Sequence, residues 1–217
     1  MVRRRPTSMR GLETLGRVRL SRFFFMRDFL HSEISNIHGM PNIPSDPNLA
    51  IAAGTRLCEE LLDPIVETFG PVHIRSAYRS EEVNAYGAAN GENCSANEAN
   101  YAGHIWDRHD ANGYMGATAC IVVPWFADRY GKGRAWQDLA WWVHDHLPYA
   151  TMQFFPRLAA FNLQWHEMAR ARLIHSFAPP KGNLFKADDP ERRPPADRAE
   201  RYADFPPFRG LADVLPR

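Results

Sequence analysis

The sequence has few of the features that assign a protein to a class at first sight. Only three of its 217 residues are cysteines (Cys58, Cys94 and Cys120), and their wide spacing implies no disulfide framework and excludes a cysteine-pair zinc knuckle. Because 26 Lys and Arg face 25 Asp and Glu, the net charge of +1 attracts neither nucleic acid nor an anionic membrane. No apolar run approaches the roughly 20 residues of a spanning helix, so we expect no membrane span.

The two ends of the chain lack the pattern of a folded core. Residues 1–22 carry seven arginines and one acidic residue, and the apolar run that follows is four residues long, too short for a secretory signal. We therefore expect a protein that is cytoplasmic as synthesised. Residues 178–217 contain eight of the 17 prolines, which predicts an extended tail. The predicted organisation is a basic arm (1–22), a folded domain (23–177) and a proline-rich tail (178–217).

Within the predicted domain, helices come first and strands come last. Helix-start signals and apolar periodicity predict helices between Asp46 and Gly70 and between Trp136 and Leu147. Alternating or short apolar runs predict strands at 72–76, 117–123, 151–155, 161–166 and 173–177. Since few residues remain for crossover connections, this order predicts an α+β fold with helices packed on a mainly antiparallel sheet.

One candidate site lies in a long loop predicted between Asn90 and Gly116. Long loops in compact domains are commonly functional or disordered, and the aromatic and apolar residues in this one argue against disorder. The loop contains His104 and Asp107, whose imidazole and carboxylate can meet at one cation if the backbone turns. The sequence has no Gly-x-Ser-x-Gly elbow, phosphate-binding glycine loop or His-Glu-x-x-His motif that would favour another chemistry.

A second candidate lies on the strand predicted at 161–166. Alternation places Asn162, Gln164 and His166 on the face opposite the core. Glu167, the next residue, could supply a general base or hold the histidine. A polar row of this kind either lines a cleft or is a solvated edge, and the residue pattern leaves both interpretations open.

One segment resembles a known family. The run Ile74-Arg75-Ser76-Ala77-Tyr78-Arg79-Ser80, followed by Asn84, is similar to the Ser-Gly-Tyr-Arg-Ser…Asn block of the D-alanyl-D-alanine carboxypeptidase-like zinc peptidases. That superfamily also includes the hedgehog signalling domain and phage endolysins. The resemblance covers about residues 23–177 and implies the α+β fold of these peptidases. It also implies that Arg79 holds the substrate and that Ser76 and Asn84 support it.

The resemblance further implies a zinc site. His104 matches the first zinc ligand of the family, with His109 as the competing match, and His166 matches the late histidine ligand. Cys120 stands at the end of a Gly-x-Ala-x-Asp-like motif, where the family has its metal-binding aspartate. The third ligand is then Asp107, Cys120 or His109, since a thiolate also binds zinc.

Departures from the family pattern leave three functional hypotheses, the third of which assigns the histidine and aspartate cluster of the loop to another metal chemistry. No acid precedes His166 where the family has its catalytic glutamate; Glu167 follows it instead. The first hypothesis is a zinc peptidase that hydrolyses a peptidoglycan-like stem peptide, with Glu167 as proton shuttle and Arg79 holding a carboxylate or oxyanion. The second is a non-catalytic binding or assembly module with the same cleft. Because peptidoglycan lies outside the cytoplasm, the first requires lysis, non-classical release or a cytoplasmic substrate.

Overall fold

The computed structural model describes residues 3–168 and 172–210, which form two compact units. The first unit lies within Met1–Glu59 and Ser76–Ala119, and the second within Glu60–Arg75 and Cys120–Arg217. Residues 211–217 of the predicted tail lie outside the described residues. No helix in the described part of the chain combines the length and the apolarity that crossing a membrane requires.

The described residues form helices in both units and one sheet. The α-helices are α1 (Met9–Gly16), α2 (Glu33–His38), α3 (Pro47–Leu57), α4 (Asp63–Phe69), α5 (Glu81–Ala89), α6 (Asn97–Asn100), α7 (Pro124–Tyr130) and α8 (Trp136–His146). The strands are β1 (His73–Ser76), β2 (Gly116–Val122), β3 (Thr151–Phe154), β4 (Phe161–His166), β5 (Leu173–Ser176) and β6 (Gly182–Lys186). A π-helical turn, Cys58–Leu62, separates α3 from α4, and short 3-10 turns cover Met26–Phe29, Pro190–Arg192 and Arg198–Tyr202.

The sheet has the strand order β1-β2-β4-β3-β5-β6. Strand β3 pairs antiparallel with β4, so that Thr151 lies opposite Gln164, and it pairs parallel with β5. Strands β5 and β6 are antiparallel, with an irregularity between Ile174 and His175. The predicted combination of helices with a mostly antiparallel sheet is therefore confirmed.

The long helical region after Ser45 begins as its sequence predicts. The Asp46 carboxylate accepts hydrogen bonds from the backbone N–H groups of Asn48 (3.0 Å) and Leu49 (3.1 Å), and Pro47 occupies the first turn. The region ends at Gly70, whose positive φ of 86° suits a residue without a Cβ. The interruption by a π-helical turn was not predicted, because apolar spacing continues through it.

Both ends of the chain contain more regular structure than their composition predicts. Helix α1 lies in the basic arm, where the Ser8 side chain caps it by accepting from the Gly11 N–H at 3.2 Å. In the proline-rich tail, β6 extends the sheet and Phe205 is only 8% exposed. Helix α7, which begins at Pro124, was also not predicted. Proline ends a strand and equally starts a helix, so the residue alone does not distinguish the two roles.

Candidate functional site

The backbone that carries Arg79 is fixed by a buried asparagine. Asn42 is 7% exposed, and its side-chain amide donates to the carbonyl oxygens of Leu30 (3.0 Å) and Tyr78 (2.9 Å). Its Oδ1 accepts from the backbone N–H of Ser80 at 2.7 Å. Ser80 then caps α5 by accepting from a backbone N–H in its first turn. Residues 78–80 are therefore held on both sides of Arg79.

Arg79 is half-buried, and its guanidinium forms no ion pair with a carboxylate of residues 3–168 and 172–210. Its backbone N–H donates to the carbonyl oxygen of His104 at 2.9 Å, and Nη1 of its guanidinium donates to the sulfur of Cys94. The Nε–H is buried without a hydrogen-bond partner, and none of the carboxylates in the described residues forms an ion pair with this guanidinium. A buried donor without a partner is energetically unfavourable, so an anionic ligand is the group that this environment suits.

His104 lies beside Arg79 as a neutral imidazole. The ring is 7% exposed and its Nδ1 lies 2.7 Å from the carbonyl oxygen of Ala77. Because a carbonyl can only accept, Nδ1 carries the proton and Nε2 keeps its lone pair. Burial, together with the positive charge of Arg79, lowers the pKa of His104 to about 3. The ring is therefore uncharged at neutral pH, as a metal ligand or a hydrogen-bond acceptor must be.

Asp107 has structural partners at both carboxylate oxygens. Oδ2 accepts from the backbone N–H groups of Ser45 (2.6 Å) and Asp46 (3.3 Å), and Oδ1 accepts from the Tyr78 hydroxyl at 3.1 Å. Burial raises the pKa of this carboxyl above its ordinary value, against these hydrogen bonds, which lower it. The carboxylate thus fastens the start of α3, and a metal ion would have to displace these contacts.

The remaining predicted residues of the first unit have different settings. Asn84 is fully buried and its amide donates to the Ser95 carbonyl (3.0 Å) and the Asn97 side chain (2.9 Å), while its Oδ1 has no partner in the part of the chain that the structure describes. Ser76 is half-buried at the end of β1, and His109 is exposed. Asn84 therefore supports the loop after α5, on which Cys94 also lies.

The other predicted residues belong to the second unit. Cys120 is buried on β2 in an apolar cluster with Val122 and Ala160. His166 ends β4, and its Nδ1 lies 3.1 Å from the Met168 N–H and 3.0 Å from the Met168 carbonyl oxygen. Glu167 follows in an exposed bend. These positions agree with the alternation predicted for the strand, in which His166 lies on the less buried face.

The polar row on β4 pairs with its neighbouring strand. The Thr151 hydroxyl donates to the Gln164 side chain at 2.8 Å, and the Asn162 amide donates to the Gln153 side chain at 3.2 Å. Each of these pairs lies directly opposite in the register of β3 and β4. Cross-strand pairing thus accounts for two of the three polar residues of the row without a ligand.

The described residues do not present a complete zinc site. Among residues 3–168 and 172–210, no three His, Cys, Asp or Glu side chains are grouped so that they could hold a metal ion. The zinc assignment remains a prediction.

Two functional neighbours of Arg79 were not identified from the sequence. Cys94 lies in the loop predicted between Asn90 and Gly116, and no sequence pattern singles out Asn42. A buried asparagine next to a proline-containing turn is a weak signal for a backbone support. The contact between Arg79 and Cys94 joins residues 15 positions apart and has no sequence signature.

A cavity of about 570 Å³ lies elsewhere in the first unit, between α1 and the segment that contains Met40, Asn42 and Ile43. None of the predicted catalytic or metal-binding residues lines this cavity.

Comparisons of the chain with protein-family models, with curated proteins and with solved structures find no match.

Proposed function

We propose that the chain binds the free carboxylate end of a D-Ala-D-Ala-type peptide at Arg79, as a non-catalytic module on a D-alanyl-D-alanine carboxypeptidase-like fold. The observation that carries this proposal is the half-buried guanidinium of Arg79, with its unpartnered Nε–H and no carboxylate partner among the described residues. The family resemblance around residues 74–84 supports the same role for this arginine.

The neighbourhood favours a carboxylate over a neutral group. A guanidinium presents parallel N–H donors that match both oxygens of a carboxylate. His104 adds no positive charge at neutral pH, so of these two side chains Arg79 supplies the attraction. Asn42 and Ser80 hold the backbone on either side of the arginine, which reduces the ordering that binding requires.

Calorimetric titration with N-acetyl-D-alanyl-D-alanine tests the proposal. The dipeptide should bind, and the same dipeptide with a C-terminal amide should bind about 10- to 100-fold more weakly, because a charge-assisted pair contributes roughly 1.5–3 kcal/mol. The variant Arg79→Gln should lose the same factor, and Arg79→Lys should keep part of the affinity while preserving the charge.

Arg75 provides the matched control. It lies four residues earlier on β1 and is exposed, so Arg75→Gln removes an equal charge and should leave the affinity within about twofold. Equal affinity for the acid and the amide, or an equal loss of affinity in the Arg75 and Arg79 variants, would show that Arg79 does not recognise a carboxylate.

A zinc-dependent peptidase is the second candidate. The observation that favours it is the Nδ1–H of His104 on the Ala77 carbonyl, the arrangement by which proteins orient metal-bound imidazoles. In this case His104 would be one ligand of the ion. Elemental analysis of the purified chain separates the candidates. One equivalent of zinc, lost in His104→Ala, together with release of D-alanine from the dipeptide, supports the peptidase; metal-free protein that binds without hydrolysis supports the module.

A further inference from the structure

The cavity of about 570 Å³ beside α1 has the size of a small-molecule site, since such sites typically measure about 300–1,000 Å³. All the residues that line it belong to the first unit. Met9 is 90% exposed, so a large apolar side chain of the wall is accessible to a ligand. The apolar side chains of the wall are those of Met9, Leu12, Leu30, Met40, Pro41 and Ile43.

Most polar side chains of the wall already have partners within the chain. The Glu13 carboxylate forms an ion pair with Arg17 at 2.5 Å, which offsets its negative charge. The Ser35 hydroxyl donates to the carbonyl oxygen of Met40 at 2.6 Å. A ligand gains little from groups that must first give up such contacts. The polar wall residues with hydrogen-bond partners of this kind are Glu13, Ser35, Asn36 and Asn42.

Arg27 differs from these residues. Its Nε–H makes one long hydrogen bond, 3.4 Å to the carbonyl oxygen of Gly16, and its Nη1 and Nη2 groups make none within residues 3–168 and 172–210. The neighbouring Asp28 carboxylate accepts from the Phe25 N–H at 2.8 Å instead. The side chain lies across Gly16, where an added Cβ would be 3.2 Å from the Cβ of Arg27. The guanidinium therefore keeps donors available for an anion at the cavity wall.

We propose that this cavity binds a medium-chain fatty acid, with the carboxylate at Arg27 and the hydrocarbon chain against the apolar wall. The fork of one guanidinium matches the two oxygens of one carboxylate. Among the described residues that line the cavity, Arg27 is the single cationic side chain. A head group with one negative charge therefore suits the site better than a doubly charged phosphate.

The rest of the wall suits a hydrocarbon chain. Leu12, Leu30 and Ile43 are each only half-buried, so they still have apolar surface to remove from water. A chain that covers them and Met9 also buries its own methylene groups, and each buried methylene adds to the affinity. This inference does not use Arg79 and stands apart from the function proposed above.

Calorimetric titration with decanoate tests the composition of the ligand. Decanoate should bind, and octanoate, which is two methylenes shorter, should bind about 10-fold more weakly because less apolar surface is buried. Decyltrimethylammonium has the same chain with the opposite charge and should bind at least about 10-fold more weakly than decanoate. Equal affinity for the two head groups, or no binding of decanoate at all, would overturn the inference.

Variants of the wall test the place of binding. Arg27→Gln should weaken decanoate binding about 10-fold, and Arg27→Lys should weaken it less. Arg10 is the matched control, because it is exposed on α1 and does not line the cavity, so Arg10→Gln should stay within about twofold. Leu12→Trp keeps the charge of Arg27 and fills the cavity, so it should also weaken binding, with urea unfolding as the check on its fold.

Equal losses in the Arg27 and Arg10 variants, or full affinity in a folded Leu12→Trp chain, would contradict binding in the cavity. Arg79→Gln separates this site from the proposed peptide site, since it should leave decanoate binding within about twofold. Loss of decanoate binding in Arg79→Gln but not in Arg27→Gln would place the fatty acid at Arg79 and overturn the inference. If N-acetyl-D-alanyl-D-alanine does not bind the chain, the proposed function fails, and the decanoate titrations still decide whether the cavity is a site.

Discussion

Two buried histidines have pKa values that make the stability of the protein depend on pH. Burial, with the positive charge of Arg79, lowers the pKa of His104 to about 3, and burial, with the charge of Arg172, lowers the pKa of His144 to about 4. In the unfolded chain both rings regain an ordinary pKa near 6.5. The unfolded state therefore takes up protons first as the pH falls, and the folded state loses stability below about pH 6.5.

We expect the free energy of unfolding to decrease by about 1.5 kcal/mol per histidine between pH 6.5 and pH 5, with the slope increasing toward about 1.4 kcal/mol per pH unit. Urea unfolding at the two pH values measures this difference. The variants His104→Gln and His144→Gln should each lack the part of this decrease that the replaced histidine contributes, whatever their stability at pH 7. Exposed His109 is the control, and His109→Gln should leave the difference unchanged. A pH dependence identical in all four chains would contradict the burial of the two rings as its cause.

The predicted site residues illustrate what sequence can and cannot show about single residues. The resemblance singles out Arg79, whose buried Nε–H has no hydrogen-bond partner among the residues that the structure describes. The spacing of Asp107 from His104 predicted that their two side chains could meet at one metal ion. Spacing carries no information on competing partners, and the partners of Asp107 come from Ser45 and Tyr78, far away in the sequence.

At the scale of elements, α3 packs closely enough to require glycine in its middle. A Cβ at Gly54 would lie 2.8 Å from the ring of Trp106 and 3.2 Å from the side chain of Leu20. Alanine favours a helix over glycine by roughly 1 kcal/mol, but crowding a packed core costs about 1–3 kcal/mol. The contact with Trp106 therefore decides whether alanine at position 54 stabilises or destabilises the chain.

We expect Gly54→Ala to lower the free energy of unfolding by about 1 kcal/mol, measured by denaturant titration. Gly131, at the end of α7, is the matched control, because its φ of −61° is helical and an added Cβ would make only ordinary contacts. Gly131→Ala should be neutral or slightly stabilising. A Gly54→Ala chain as stable as the Gly131→Ala chain would mean that the Trp106 ring can move aside at no cost.

At the scale of the whole molecule, the proline-rich tail belongs to the second unit. Phe205 packs edge-on against Phe69, Trp125 and Phe126, with ring centroids 5.1–5.9 Å apart. Arg134 forms an ion pair with Asp204 at 2.7 Å, next to this phenylalanine. The tail therefore contributes side chains to a core that the residues before 178 do not complete.

Phe205→Ala should lower the free energy of unfolding by about 3 kcal/mol, since it removes a large ring from a packed aromatic cluster. Phe177, which is 44% exposed, is the matched control, and Phe177→Ala should cost less than about 1 kcal/mol. Thermal or urea unfolding of the two variants measures the difference. Equal, small losses in both would show that the tail is not needed for the stability of the second unit.

The sequence by itself determined the elements whose signals are local. The cap at Asp46, the glycine at residue 70, the strand at 161–166 and the helix from Trp136 follow from side chains within a few positions of one another. The mostly antiparallel character of the sheet followed from the order of these elements and their short connections. Local chemistry is enough here because a cap or an alternating strand needs no distant partner.

Only the tertiary structure decided which side chains meet. Several contacts join segments that are distant in the sequence. They are those of Asn42 with residues 78–80, of Cys94 with Arg79, of β6 with the rest of the sheet, and of Phe205 with its aromatic neighbours. Hydrogen bonds and burial at these places depend on how distant segments of the chain pack against one another. Composition and spacing do not encode that packing, so the fold decides the partners of Arg79, whereas the peptide proposed as its ligand follows from the sequence resemblance.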